Sequence, residues 1–274
     1  MPGCSGRSKY DFSCPQADRS VIFANQISSI NMGLNISGSV VDVDHTHNQH
    51  LNTGRHGNPL VQQVPAGQPE LTVYSTFQRH KAPQSKNRDR ATRKVGDNCH
   101  LLYALKGKDG LTTTFGAIRR LLLNFDAIIE DMLDQAGQYD VVIPMPSGHK
   151  ISDIYAARLA RRFGCNLNAG VFAKISGADA LQLLHDSPLS SSDKRKVAAR
   201  LNPDSFSLKD VPIAFRQYFP PVTVAAGGIP AGYKRFLLAD DLLATGTTLV
   251  AAKRLIQAAV PGATVDAACL FSAV

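Results

Sequence analysis

Residues 235–249 have the sequence RFLLADDLLATGTTL, and this stretch decides the fold. The apolar run 236–239 predicts a buried strand of a parallel sheet. Two acids, Asp240 and Asp241, follow where that strand ends. A short turn then leads into an amphipathic helix from about Leu249. Strand, turn and helix in this order are typical of an α/β fold, in which ligands bind at the carboxyl ends of the strands.

The turn between strand and helix has the composition of a phosphate site. It consists of Ala244, Thr245, Gly246, Thr247 and Thr248. The N-terminus of a helix offers unpaired N–H groups and a positive dipole end, which both favour an anion. Glycine lets the backbone approach that anion, threonine hydroxyls add donors, and the nearby acids can accept hydrogen bonds from sugar hydroxyls. The stretch therefore indicates a ribose 5-phosphate site; the alternative is an acidic strand end with Asp241 or Thr245 as an ordinary helix N-cap.

A second strand and turn occur earlier in the chain. Residues 139–145 predict a strand, and residues 151–163 predict a helix that Gly164 ends. The turn between them contains Ser147, Gly148, His149 and Lys150, which offer a hydroxyl, backbone N–H groups and positive charge. Because this turn also follows a strand, we expect it at the same edge of the sheet as Asp240. The alternative is a surface turn that Ser147 caps.

Further segments extend this α/β pattern. They are a short apolar segment at 101–106, a helix over 115–132 that ends at Gly137, a short strand at 169–173 and a last strand at 264–271. Alternation of strands and helices predicts a parallel sheet with right-handed crossovers and flanking helices.

The first 95 residues differ in composition, because they are rich in Ser, Asn, Gln, Gly and His. We therefore expect an irregular N-terminal extension over residues 1–96 and an α/β domain over residues 97–274. Alternating or apolar residues at 30–36, 40–43 and 71–77 predict strands within the extension. The polar stretches around them predict loops or disorder.

Two segments of the extension contain side chains that can bind a metal ion or nucleic acid. Acids and imidazoles at 42–50, with His56 nearby, can bind a metal, and the alternative is a solvated polar loop. Residues 79–94 hold seven Lys or Arg and one acid, so this segment is either a solvated linker or a contact for a nucleic-acid backbone. It contains no aromatic residue for stacking on bases.

Overall composition limits the function classes. The net charge of +8 favours anionic ligands such as nucleotides and phosphates. Five scattered cysteines without a CxxC pair argue against a zinc ribbon and a disulfide framework. The sequence contains neither a recognisable signal peptide nor an apolar run of membrane-spanning length. We therefore expect a soluble protein of the reducing cytoplasm that does not bind a membrane.

The stretch 235–249 resembles the signature with which type I phosphoribosyltransferases bind 5-phosphoribosyl 1-diphosphate (PRPP): four apolar residues, two acids, two apolar residues and a small-Thr-Gly-x-Thr turn. Ala239 departs from the usual pattern, in which this residue is bulkier. The resemblance implies that Asp240 and Asp241 are the catalytic acids and hold the ribose hydroxyls. It also implies that residues 244–248 bind the 5-phosphate and residues 147–150 the diphosphate. Mg²⁺ would then neutralise the diphosphate, chiefly through substrate oxygens and waters.

The order of other fragments resembles the ComF branch of that superfamily. They are ALKG at 104–107, VVIPMP at 141–146 and the basic loop at 189–206. The chain departs from that branch because it lacks an N-terminal Cys4 zinc ribbon and has a longer segment at 207–234. The resemblance implies that residues 174–206 form a mobile cover over PRPP. Its candidate cations are Lys174, Lys194, Arg195 and Arg200, and the alternative is a solvated helical insertion.

The resemblance implies a transferase of nucleotide metabolism that moves ribose 5-phosphate to an acceptor and releases diphosphate. The alternative is an effector or sensor module that acts with nucleic acid or a protein partner, contacted through the basic extension, in DNA handling or defence. A third alternative is a relative that keeps the fold and only binds or hydrolyses a phosphorylated sugar.

Overall fold

A computed structural model describes residues 33–44, 51–65, 70–80, 99–204 and 206–273. Contacts divide the chain after Ile30, and all described residues lie in the second unit, Asn31–Val274. The fold is α/β with flanking helices, as predicted, but the large sheet is mixed rather than wholly parallel. None of the helices in the described part is long and apolar enough to cross a membrane.

The described strands are β1 (Gly33–Ser37), β2 (Val40–Asp44), β3 (Leu51–Asn52), β4 (Leu60–Val64), β5 (Leu71–Arg79), β6 (Thr112–Thr113), β7 (Val141–Pro144), β8 (Asn166–Leu167), β9 (Phe172–Ala173), β10 (Thr223–Val224), β11 (Arg235–Leu242) and β12 (Thr264–Phe271). The α-helices are α1 (His100–Leu105), α2 (Phe115–Ala136), α3 (Ile151–Phe163), α4 (Gly177–Asp186), α5 (Ser191–Ala198) and α6 (Thr247–Ala259). Two short 3₁₀ helices cover Leu208–Asp210 and Ile213–Tyr218.

The large sheet has the strand order β3-β5-β12-β11-β7-β8, and β4 also pairs with β5. Strands β5, β12, β11, β7 and β8 are parallel to their neighbours in this row, whereas β3 and β4 are antiparallel to β5. The carboxyl ends of the parallel strands therefore meet at one edge of the sheet, where ligands of α/β proteins bind.

Helices cover both faces of this sheet. Leu237 and Ala239 of β11 pack in a core with residues of α1, α2 and α3. Phe236 and Leu238 face the opposite side and pack in a core with residues of α6. This alternation follows from the two-residue repeat of a strand, and burial on both faces explains why the run is wholly apolar.

The strands before residue 81 join the same fold. The predicted strands at 40–43 and 71–77 are confirmed as β2 and β5, and part of the predicted strand at 30–36 is β1. Strand β5 pairs with β12 on one side and with β3 and β4 on the other. The predicted boundary at residue 97 stays a prediction, since residues 81–98 lie outside the described part.

The predicted strand at 169–173 differs from the structure. Only Phe172–Ala173 is a strand, and it pairs with β10 instead of joining the large sheet. Gly170 has a φ of 77°, a left-handed conformation that interrupts an extended chain. The two-residue strand β8 takes the place beside β7 instead.

Residues between β9 and β10 form an insertion with its own small core. Ile175, Leu184, Val197 and Phe219 contribute buried side chains to it. The antiparallel pair β9–β10 joins the two ends of the insertion. The segment predicted as a mobile cover is therefore part of a longer unit that continues past residue 206.

Candidate active site

The carboxyl ends of β7 and β11 mark the candidate ligand site, and we call the position between them the crevice. These strands are parallel neighbours in the sheet. From β7 the chain passes through α3 to β8 on one side, and from β11 it passes through α6 to β12 on the other. In open α/β sheets, ligands bind at the point where successive connections diverge in this way.

The turn after β11 borders a hollow of about 70 Å³. The hollow is lined by Asp240, Leu242, Leu243, Ala244, Thr245, Gly246, Thr247, Thr248 and Leu249. Helix α6 begins at Thr247, and its N-cap is Gly246, so no N-cap side chain pairs with the first N–H groups. The hydroxyls of Thr245 and Thr247 lie 2.9 Å apart. A water needs about 10–15 Å³ of such space, so the hollow has room for a group of phosphate size beside unpaired donors.

Gly246 is required by its conformation and by its contacts. Its φ of 75° lies in the left-handed region. A Cβ atom on this residue would lie 2.7 Å from Cγ2 of Val64, at the end of β4. The hairpin formed by β4 and β5 is held against α6, because Glu70 accepts hydrogen bonds of 2.7 and 2.8 Å from Arg254. The N-terminal hairpin thus supports the turn 244–248.

We expect Gly246→Ala to destabilise the protein more than Gly164→Ala. Both glycines have positive φ, at 75° and 62°, but a Cβ atom on Gly164 would meet nothing within 4 Å. The difference should therefore report the clash with Val64, for which overpacking predicts about 1–3 kcal/mol. Urea unfolding of both variants measures it, and equal losses would show that Val64 does not restrict the turn.

Asp240 connects β11 to the helix that follows the second predicted turn. Its Oδ1 atom accepts a hydrogen bond of 2.8 Å from the N–H of Asp241 and one of 3.3 Å from the hydroxyl of Ser152, in the first turn of α3. Burial, followed by the negative charge of Asp241, raises the pKa of Asp240 to about 6. This carboxylate borders the hollow and is therefore an acceptor for hydroxyl groups.

Asp241 has a different partner. Its Oδ2 atom lies 2.5 Å from Nζ of Lys106, and the two side chains are 9% and 14% exposed. Lys106 is the C-cap residue of α1. A role for Lys106 was not predicted from the sequence, although this residue belongs to the ALKG fragment on which the ComF resemblance partly rests. Lys106 and Asp241 are 135 residues apart in the sequence, and no sequence pattern links them, so their contact could not be predicted.

The turn after β7 starts beside Asp240. The N–H of Met145 donates to the carbonyl of Ala239 at 2.8 Å, which fixes the end of β7 to β11. The N–H of His149 donates to the hydroxyl of Ser147 at 3.2 Å. The N-cap of α3 is Lys150, which makes no side-chain cap hydrogen bond. Of the four residues in this turn, Ser147, Gly148 and Lys150 are exposed and His149 is half-buried.

No protein-family model matches the chain, and no curated protein is detectably similar to it. The assignment of function therefore rests on the residues and on the geometry of this edge of the sheet.

The candidate cations of the insertion make contacts within the insertion itself. Lys194 donates to the carbonyl of His185 at 2.6 Å, and Arg195 donates to the carbonyl of Ser191 at 3.3 Å. Lys174 and Arg200 are exposed. In this conformation Lys194 and Arg195 are thus held by the backbone of the insertion rather than by the two turns.

The candidate metal segment at 42–56 and the basic segment at 79–94 are described only in part. Asp42 forms an ion pair with Arg120, whereas residues 45–50 lie outside the described part. Arg79 donates to the carbonyls of Ser272 and Leu243, and residues 81–94 lie outside the described part. Among the described residues, no group of three His, Cys, Asp or Glu is placed to hold a metal ion.

Proposed function

We propose that the protein is a phosphoribosyltransferase, related to type I enzymes of the ComF branch, which binds PRPP in the crevice between β7 and β11. The observation that carries this proposal is that the Asp240 carboxylate and the glycine-led N-terminus of α6 border the same hollow. One group accepts hydrogen bonds from a diol and the other binds an anion, and ribose 5-phosphate needs both.

Each part of PRPP has a matching part of the crevice. The 5-phosphate would bind the turn 244–248, and the ribose hydroxyls would donate to Asp240. The diphosphate would bind the turn 147–150, whose start is fixed beside Asp240 by the Met145 hydrogen bond. The two anionic ends of PRPP would thus lie at the N-termini of α6 and α3, where helix dipoles favour negative charge.

The reaction replaces the bond between the anomeric carbon and the diphosphate oxygen by a bond to a nitrogen of the acceptor. The bonding electron pair leaves with the diphosphate, and the acceptor nitrogen releases its proton. The turn 147–150 would stabilise the negative charge of the leaving group, and the Asp240 carboxylate would favour positive charge on the ribosyl ring. The insertion between β9 and β10 would exclude water from the reacting carbon.

Mg²⁺ fits this site as an ion that arrives with its substrate. It would neutralise the charge of the diphosphate. The described residues offer no cage of three acidic, His or Cys ligands, and Mg²⁺ commonly binds through phosphate oxygens and waters instead. The protein groups would then act on the sugar and on the phosphate oxygens.

Incubation with PRPP, Mg²⁺ and a mixture of nucleobases, nucleotides and nucleic acid tests this function. We expect release of diphosphate and a product heavier than its acceptor by one ribose 5-phosphate unit, and loss of both with Asp240→Asn. Binding of PRPP without consumption under every condition would favour the sensor or effector alternative. Release of diphosphate with free ribose 5-phosphate as the other product would favour hydrolysis.

A further inference from the structure

The two acids after β11 have unequal access to the hollow. Asp240 borders it, whereas Asp241 is not among its lining residues. Neighbouring residues of a strand point to opposite faces, so one carboxylate turns toward the crevice when the other turns away. The side chain of Asp241 is 9% exposed and contacts Lys106 at 2.5 Å. The two adjacent acids therefore have different environments: Asp240 borders the hollow, and Asp241 is paired with Lys106.

We propose that Asp240 alone binds the ribose hydroxyls, and that Lys106 is a positioning residue that holds Asp241 away from the sugar and compensates its charge. This inference rests on the proposed function and assigns the residues within that site. It departs from the equal roles that the sequence motif implies for Asp240 and Asp241.

The charges around the two acids explain why Lys106 matters. Besides Lys106, directly after α1, the surroundings include Arg79 from β5, Cys99 before α1 and Cys269 from β12. Burial raises the pKa of Cys99 to about 11 and that of Cys269 well above its ordinary value, so both thiols are neutral. Arg79 donates to the carbonyls of Ser272 and Leu243. Lys106 directly contacts a carboxylate of the pair, with Nζ 2.5 Å from Oδ2 of Asp241.

Without Lys106, two adjacent carboxylates would share the strand end with less positive charge nearby. Like charges in one site raise the pKa of one of the two acids. The Asp240 carboxylate would then carry a proton over more of the neutral pH range, and a protonated acid is a poorer acceptor for sugar hydroxyls. Lys106 would thereby support ribose binding through Asp241 and without touching the sugar.

Carboxylate NMR titration of Asp240, combined with PRPP titration at several pH values, tests the proposal. In Lys106→Met, we expect the NMR titration midpoint of the Asp240 carboxyl to rise above that of the wild type, with a loss of PRPP affinity that is largest near neutral pH. Lys106→Arg should restore the wild-type midpoint. An unchanged midpoint in Lys106→Met would overturn the role of Lys106.

The double variant Lys106→Met with Asp241→Asn separates the two acids. Removing both charges leaves no buried ion unpaired, so this variant should fold even if Lys106→Met does not. We expect the Asp240 midpoint to fall below that of the wild type, because the negative charge of Asp241 is gone. PRPP affinity above that midpoint should stay within about threefold of wild type, a change of less than 1 kcal/mol.

Two outcomes distinguish a wrong division of tasks between Asp240 and Asp241 from a wrong proposed function. If the double variant loses as much PRPP affinity as Asp240→Asn, Asp241 is itself a ribose ligand and the division of tasks is wrong. If the folded wild-type protein binds no PRPP, the proposed function and the ribose-binding part of the inference both fail. The NMR midpoints would then still decide the electrostatic role of Lys106, because they are measured without ligand.

Discussion

Deleting residues 1–95 is expected to abolish cooperative folding of the remaining chain. The deletion removes β1–β5, including the strand that pairs with β12 over Ala267–Phe271. Among the described residues, the buried Leu, Val and Phe side chains lost are Leu34, Val41, Val43, Leu51, Val64, Leu71, Val73 and Phe77. Burying each contributes about 1.5–3 kcal/mol, so their sum reaches or exceeds the roughly 5–15 kcal/mol that stabilises a typical domain.

Circular dichroism and thermal melting of the truncated chain measure this effect. The matched control deletes only residues 1–30, which precede all described strands, and it should keep a cooperative transition. A truncated chain 96–274 that melts cooperatively near the wild-type temperature would show that the α/β domain does not need β5. The N-terminal strands would then be a separable extension, as the composition of the sequence suggested.

Asp240→Asn is expected to weaken PRPP binding by about 10- to 150-fold. A hydrogen bond to a charged group contributes about 1.5–3 kcal/mol, and each 1.4 kcal/mol corresponds to about tenfold in affinity. Calorimetric titration above the pKa of Asp240 measures the loss. The control is Asp134→Asn, which removes an exposed carboxylate from α2 and should leave affinity unchanged. Equal affinities of wild type and Asp240→Asn would show that the sugar does not contact this acid.

The same substitution should stabilise the free protein at alkaline pH. Because the folded-state pKa of Asp240 is raised from 3.8 to about 6, the folded state holds a proton between these values that the unfolded state lacks. The free energy of unfolding therefore falls as pH rises through this window and stays lower above it. A shift of about two units corresponds to roughly 3 kcal/mol at most.

Because asparagine does not ionise, the free energy of unfolding of the Asp240→Asn variant should not fall as the pH rises through this window. Urea unfolding should show Asp240→Asn and wild type about equally stable near pH 4 and the variant more stable near pH 8. A variant that is less stable than wild type near pH 8 would mean that the charged carboxylate supports the fold. That result would assign Asp240 a structural task in place of a binding one.

The elements with strong local signals were predictable from the sequence. The helix at 151–163 and the strand at 264–271 match the structure residue for residue. Gly164 has the left-handed φ of 62° that a helix end favours, so the stop signal is local. The fully apolar run 236–239 likewise indicated a strand buried on both faces, as the packing of β11 confirms.

The contacts that shape the site were not predictable, because they join distant segments. No spacing in the sequence places Val64 against Gly246 or Lys106 against Asp241. The strand at 71–77 was predicted, but the polar composition of residues 1–95 placed it in a separate extension, whereas β5 pairs with β12 and its Phe77 contacts the rings of Phe125 and Phe271. Burial of the apolar side chains of this nine-residue strand stabilises it within the sheet, although the residues around it in the sequence are polar.

Calorimetric titration of the folded wild-type protein with PRPP and Mg²⁺ tests the central claim most directly. We expect saturable binding of PRPP in competition with ribose 5-phosphate, and we expect this binding to weaken when the pH falls below the pKa of Asp240, about 6. Absence of heat and of competition by either ligand, on protein that melts cooperatively, would contradict the claim that this crevice is a PRPP site.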